Sequence, residues 1–390
     1  MKFDVVINGG GMVGLALAVQ MPKQLSIAII DPLPTADFST RQSFDCRVSA
    51  ISRRSQKILQ QCNVWSEIPQ ERITAYHSMN VWDANGSAEL HFTAQEVAEP
   101  NLGYIIENGL IRQYLLREVE QRTNIDFITD SLISFDSDEL KCRIQLTSGQ
   151  QLVSKVLIAA DGATSKVREM AEIPIDKVDY QQSALVATIR TEQSHQFTAW
   201  QRFLPSGPMA YLPLPDEHLC SIVWSLDTEK VDAMELNNGE FMNARIASAL
   251  DHRLGNIRLE SKLFRFPLIA RHAKNYIKDR VILVGDAAHS IHPLAGQGVN
   301  LGFADAATLA KVISKAVDSG LDFAKRSHLR AYERERKGEN HLTEKAMTAL
   351  NWTYSQNNPA LVLARNFGVN MVDKFTSIKR QFMHKALGLN

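Results

Sequence analysis

Residues 280–302 read RVILVGDAAHSIHPLAGQGVNLG. The apolar run Val281 to Val284 stops at Gly285-Asp286, and a glycine-rich loop over Pro293–Gly302 leads into the helix-like stretch ADAATLA at 304–310. Strand, acid, loop and helix in that order set a carboxylate at a strand end and aim backbone amides from a helix start. The pairing suits a ligand that carries hydroxyls together with a phosphate or an electron-poor ring.

A second nucleotide-type turn lies at the other end of the chain. Gly9-x-Gly11-x-x-Gly14 follows the strand candidate Phe3–Ile7 and opens a helix over Gly14–Met21. Its glycines permit a tight turn, close approach of backbone to a pyrophosphate, and close helix–strand packing. Asp31 ends the next apolar run, near the spacing of about 20 residues at which an acid meets a ribose diol. Asp161-Gly162 repeats the logic after the strand candidate at 156–160, and Arg168 is placed to reach a phosphate. Arg47 offers a planar donor fork, and Gln113 lies on a helix after Asn108. The two glycine segments together point to one large dinucleotide lying across the fold, with FAD the best candidate; taken alone, Arg47 and Gln113 also read as ordinary surface or helix residues and Asp161-Gly162 as an ordinary turn.

Composition narrows the field. With 390 residues, Lys+Arg and Asp+Glu both at 43 and no net charge, the chain has no basic excess for nucleic acid. Cys46, Cys62, Cys142 and Cys220 form no redox or metal pair motif and fit a reducing cytoplasm. His289 and His292 have no third ligand at a convincing spacing, so no metal is expected. Lys2 and the apolar residues after it are interrupted by Asp4 and three glycines, unlike a leader peptide. No apolar run approaches the roughly 18 residues of a spanning helix. Hydrolase elbows, phosphate-binding P-loops and zinc-protease motifs are missing.

The nucleotide motifs at 9–14, 161–168 and 285–302 are separated by strand-rich blocks. The expected architecture is α/β: a discontinuous Rossmann-like FAD-binding domain over 1–72, 101–180 and 270–325, and an inserted β-rich substrate domain over 73–100 and 181–269. A C-terminal helical region follows over 326–390. Residues 32–50 read as loop, and Ser52–Gln61 and Leu110–Gln121 as helices.

The motifs GGGMVG, DGATSKVR and GDAAHSIHPLAGQGVNLG, with DCRVSAISRRS and YIIENGLIRQYL, resemble the class A flavoprotein aromatic hydroxylases, and within them the ubiquinone-biosynthesis hydroxylase family. The likeness covers nearly the whole chain. It implies that Gly9, Gly11, Gly14, Asp31, Arg47 and Gln113 hold the ADP half of FAD. Asp286 would take the ribityl chain, and Pro293, Gly296, Gln297, Gly298, Val299 and Asn300 would frame the ring. Asp161 falls in a motif serving both FAD and NAD(P)H.

The same resemblance implies a monooxygenase that uses NAD(P)H and O2 and hydroxylates a polyprenylated phenol or quinol through a flavin C4a-hydroperoxide. The cofactor carries the hard step, so no indispensable acid–base residue is expected, and the flavin-face candidates are Pro293, Gly296 and Gln297. Trp200, Phe203, Tyr211, Leu212 and Trp224 are candidates for an apolar substrate pocket. The segment after Pro359 carries Arg365, Lys374, Lys379, Arg380 and Lys385, with Met371, Phe375, Ile378 and Phe382 near helical spacing. It is a candidate for docking on the inner face of a membrane or on a partner enzyme. Competing readings are an aromatic hydroxylase of a non-quinone substrate, a flavin reductase of prenyl double bonds, and a non-catalytic FAD-bearing scaffold.

Overall fold

In the computed structural model, described over residues 1–33, 44–86, 89–236, 238–291, 298–356 and 358–389, strand Val5–Asn8 pairs in parallel with Val156–Ala159 on one side and Ile27–Ile30 on the other. Val281–Leu283 and Ile125–Ile128 extend this sheet in parallel, and Ile277–Lys278 closes one edge antiparallel. The central strands are unbroken apolar runs with no polar face, as a parallel sheet covered on both sides requires. Helices Met12–Gln20 and Gly298–Asp318 lie against one another, with Leu15, Leu17, Phe303 and Leu309 fully buried.

A nine-stranded sheet forms the second layer. Its order is His289–Ser290, Phe264–Ala273, Ile175–Thr191, Leu219–Asp227, Gly207–Pro213, Thr198–Leu204, Ser78–Asp83 and Glu89–Thr93, with Ile257–Leu259 pairing beside Ile175–Thr191. Ser78–Asp83 lies parallel to Thr198–Leu204, so two stretches far apart in sequence share one sheet.

Three local readings change. Val48–Ile51, inside a segment read as loop, is a strand paired with Gly103–Glu107, because its alternating burial needs a partner edge. Helices Thr228–Asp232 and Gly239–Ala249 interrupt the strand-rich block; Asn238 caps the second by accepting from Phe241 N at 3.1 Å, and Met242 and Ile246 cover the sheet. The glycine-rich loop is shorter than its composition suggests, since Gly298–Gly302 already belongs to the helix.

The last 65 residues are helical over Arg326–Ser355, Pro359–Lys374 and Thr376–Leu387. Arg365 and Lys379, read as surface cations, are instead buried. Arg365 pairs with Asp83 at 2.5 Å, and Lys379 pairs with Glu96 at 2.7 Å and Asp373 at 3.0 Å. Met383 and Leu387 pack on Ala94, Val97 and Leu102. The helical arm is thereby fastened to the β-rich layer. Arg380 and Lys385 stay exposed, and the side chains of Lys374 and Ile378 lie outside the described residues.

Candidate functional site

The first glycine turn is set by backbone contact. A Cβ on Gly9, whose φ is +118°, would fall 2.3 Å from Ala160 O, and one on Gly14 would fall 2.1 Å from Gly9 O. Gly11 differs: nothing lies within 4 Å of its Cβ direction. Two glycines thus close the turn, and the third faces open space at the start of helix Met12–Gln20, where an anion meets free amides. Asp31 Oδ2 accepts from Gly10 N at 2.5 Å and Oδ1 from Leu33 N at 2.8 Å, which leaves lone pairs for a diol.

Arg112, which the sequence reading passed over in favour of its neighbour Gln113, belongs here. Its Nε donates to Gly10 O at 2.8 Å. Its Nη2 lies 4.0 Å from Asp31 Oδ1, buried and without a hydrogen-bond partner. A cation and an acid flanking an open glycine turn fit the ADP end of a dinucleotide. Gln113 is buried on the same helix.

Arg47 is exposed at the start of strand Val48–Ile51. Its backbone is pinned by Asn108 N donating to its carbonyl at 2.9 Å, and Asp45 N donates to Glu107 Oε1 at 2.6 Å. Glu107 is itself held by buried Arg72 through Nε at 2.8 Å and Nη2 at 2.6 Å. Burial still raises the Glu107 carboxyl above its ordinary range, against the pull of Arg72.

At the far end, a Cβ on Gly302 would meet Val13 Cγ2 at 2.6 Å, and one on Gly285 would meet Val13 Cγ1 at 3.2 Å. Val13 lies between Gly11 and Gly14, so the two nucleotide segments, nearly 300 residues apart, touch through one side chain. Asp286 is solvent-accessible although crowded by protein. Desolvation raises its carboxyl above the usual range, and the Asp305 charge adds to this; His289 and Arg271 oppose them. A reachable carboxylate among protein atoms fits a polyol-binding acid.

Beneath it Asp305 is fully buried. It accepts from Gly285 N at 3.0 Å, pairs with His289 Nε2 at 2.6 Å and Arg336 Nε at 2.7 Å, and accepts from Asn340 Nδ2 at 3.1 Å. Burial alone would raise its carboxyl; the charges and hydrogen bonds of His289 and Arg336 outweigh that and bring it to about 2. The one signal for Asp305 was an acid inside the alanine-rich stretch 304–310, which must find a partner.

Other expected residues behave differently. Asp161 Oδ2 caps the next helix by accepting from Lys166 N at 2.9 Å, while Oδ1 stays buried and unpartnered. Arg168, read as a phosphate ligand, is spent on the carbonyls of Ala287 at 2.8 Å and Ala163 at 3.0 Å, which ties the Asp161 and Asp286 loops together. The Asn300 amide is engaged by Ser52 N and Ala50 O. Gly298 and Val299 open helix Gly298–Asp318. His292, Pro293, Gly296 and Gln297 lie outside the described residues.

The aromatic candidates separate. Trp200, Tyr211 and Trp224 sit in the core under helix Gly239–Ala249, where the Tyr211 hydroxyl donates to Ile246 O at 3.0 Å. Phe203 stacks on Tyr354 with centroids 3.9 Å apart. Leu212 is paired in register with Ser221, whose hydroxyl donates to Cys46 O at 2.9 Å, so it lies on the sheet face turned to the cofactor layer. All four cysteines are buried and free.

The family model described as FAD binding domain matches residues 2–345. The 3-demethoxyubiquinol 3-hydroxylase of Escherichia coli (strain K12) is 34% identical over 99% of this chain and 98% of its own. The chain belongs to the ubiquinone-biosynthesis hydroxylases. The mitochondrial ubiquinone biosynthesis monooxygenase COQ6 of Homo sapiens is 33% identical, over 98% of this chain and 92% of its own. The p-nitrophenol 4-monooxygenase PnpA from Pseudomonas putida DLL-E4 shares the fold, with a TM-score of 0.82 at 19% identity over 99% and 98% of the two chains. This ubiquinone-biosynthesis hydroxylase is thus an FAD-dependent, hydroxylating oxidoreductase with the fold of the class A flavin hydroxylases, a class that typically uses NAD(P)H and O2.

Proposed function

We propose that this hydroxylase adds oxygen to the ring of a polyprenylated phenol or quinol, in a ring hydroxylation of the kind named for its Escherichia coli relative. The observation that carries the reading is the meeting of the 9–14 turn with the Gly285 and Gly302 segments at Val13, an arrangement that would let one molecule run from an ADP end near Asp31 to a ring end near Asp286. Gly9, Gly11, Gly14, Asp31, Arg47 and Gln113, with Arg112 added, would hold the first end. Asp286 and the 293–300 segment would hold the second.

When bound, FAD supplies electron storage and the activation of O2. The protein does the rest. Helix Gly298–Asp318 would offer the positive end of its dipole to a ring held by the 293–300 segment. Arg168 locks the Asp161 and Asp286 loops in one geometry. Leu212, on the sheet face that Ser221 joins to Cys46, would add apolar surface beside the ring and help to exclude water. An open cleft of about 560 Å3 lined by Ala163, Thr164 and Arg271, beside the Asp161 motif, offers NAD(P)H a route.

The test supplies purified protein with FAD, NAD(P)H, 18O-labelled oxygen and a prenylated quinol lacking one ring hydroxyl. The product should gain one 18O atom. Reduced product without label would instead identify a reductase of prenyl double bonds, and no substrate-stimulated oxidation of NAD(P)H would leave a scaffold.

No described helix is long and apolar enough to cross a membrane. The C-terminal arm nevertheless exposes Leu363, Phe367, Phe375 and Phe382 at 72%, 68%, 53% and 60%, near the cations Arg380 and Lys385. We read this arm as a peripheral contact with the membrane that holds the substrate. The full chain should co-sediment with vesicles of phosphatidylethanolamine and phosphatidylglycerol. A Phe367→Ala, Phe375→Ala, Phe382→Ala variant should lose most of that binding; unchanged binding would sink the membrane role. Point changes are preferred to truncation after Pro359, which would also remove the buried Arg365 and Lys379 pairs.

A further inference from the structure

We propose that His272, His341 and Glu344 form a binding site for a divalent cation of the zinc type. The ion would join helix Arg326–Ser355 to the end of strand Phe264–Ala273. Among the described residues this is the group of histidine, cysteine and carboxylate side chains whose donor atoms converge, all within 4.8 Å of one another. Glu344 Oε2 lies 2.9 Å from His272 Nδ1 and 3.8 Å from His341 Nδ1. Around a tetrahedral ion with bonds of about 2.0–2.1 Å, neighbouring donors stand roughly 3.3 Å apart. The two separations to Glu344 bracket that value and the third lies within 4.8 Å, so side-chain rotation, chiefly of the exposed His341, would seat the ion.

A second observation comes from the buried atoms. His272 is 5% exposed. Its Nδ1 and Glu344 Oε2 sit at ion-pair distance, yet both are buried and neither has hydrogen-bond geometry to any partner. Buried polar atoms left in this way are costly, and a shared cation would satisfy both at once. His341 and Glu344, three residues apart, share one face of their helix.

The surroundings also fit. His272 Nε2 lies 3.4 Å from the Tyr276 hydroxyl, which accepts from Asn340 Nδ2 at 3.2 Å. With Nδ1 on a metal, Nε2 keeps its proton and donates a hydrogen bond to the Tyr276 hydroxyl oxygen, the outer hydrogen bond that fixes a ligating imidazole. Asn340 in turn donates to Asp305 at 3.1 Å, so the ion would brace the support beneath the Asp286 loop. Two imidazoles and one carboxylate favour zinc or its transition-metal neighbours over magnesium and calcium. The His341 side chain is 52% exposed, which gives the ion an entry and leaves a fourth position for water.

The test titrates zinc chloride into the chelator-treated, FAD-loaded full chain by calorimetry, with magnesium chloride as a parallel arm. One zinc per chain should bind with low-micromolar or tighter affinity and raise the unfolding temperature. His341→Ala and Glu344→Gln should each weaken binding at least tenfold while the flavin spectrum stays unchanged. Absence of zinc uptake, equal binding of magnesium, or unaltered zinc affinity in both variants would overturn the site. His341 and Glu344 are chosen because replacing buried His272 risks the fold itself.

Discussion

Asp305→Ala should lower the stability of the folded chain by about 3–5 kcal/mol, the usual cost of leaving a buried charge without its partner. The stranded charge is Arg336, fully buried and then left with Glu339, which is 40% exposed, and Asn340. His289 loses its carboxylate and Gly285 N its acceptor in the same step. Urea denaturation followed by tryptophan fluorescence reads the change; a loss under 1 kcal/mol would refute the role of Asp305 as the support of the Asp286 loop. The effect carries a pH signature. The Asp305 carboxyl titrates near 2 in the folded chain against an ordinary 3.8, so the unfolded chain takes up the proton first as pH falls. The contribution is full above about pH 4 and disappears as pH drops through about 2, worth roughly 2 kcal/mol. The stability difference between wild type and Asp305→Asn should therefore shrink across that window. A difference that stays constant would contradict the charge argument.

Gly9→Ala should abolish retention of FAD, with affinity falling about 100-fold or more. The added Cβ meets Ala160 O, Ala160 C and Asp161 N at 2.3, 2.5 and 2.8 Å, all backbone atoms of the adjoining parallel strand. Overpacking costs roughly 1–3 kcal/mol, and the positive φ adds about as much again. If the free protein relieves this strain by shifting the turn, FAD must restore it, and the sum then sets the expected fold-change in affinity. Gly11→Ala separates two causes that Gly9→Ala mixes. Its Cβ meets nothing within 4 Å, so the apoprotein should keep its stability to within about 0.5 kcal/mol. FAD binding should still weaken, because the methyl occupies the approach to the amides. Titration of apoprotein with FAD, alongside thermal unfolding, measures both. If Gly11→Ala binds FAD as wild type does, the pyrophosphate does not pass over this turn.

Much of the layout was legible in the residues. Gly9, Gly11 and Gly14 after an apolar strand, with Asp31 at the next strand end, have a spacing that suits a βαβ turn, and they lie together because they are close in sequence. Arg112 was missed because helical spacing does not say which of two neighbours, Arg112 or Gln113, turns toward Gly10. Trp200, Tyr211 and Trp224 were legible as apolar. Which face of their sheet meets the cofactor layer depended on helix Gly239–Ala249 covering the other one. Arg365 and Lys379 read as surface charge because their acids, Asp83 and Glu96, stand nearly 300 residues upstream.

The residues by themselves determined the class of fold, the first glycine turn and the acid at each strand end, since these rest on local backbone geometry and on chain neighbours. Tertiary structure alone decided that Val13 would sit against Gly285 and Gly302, that Asp305 would gather His289 and Arg336 beneath the Asp286 loop, and that His272 would meet His341 and Glu344. The physical reason is common to all three. Each is a contact between segments whose separation in sequence carries no geometric information: the first forms when apolar surface is buried in the shared core, and the other two when that burial leaves polar groups to find partners across it.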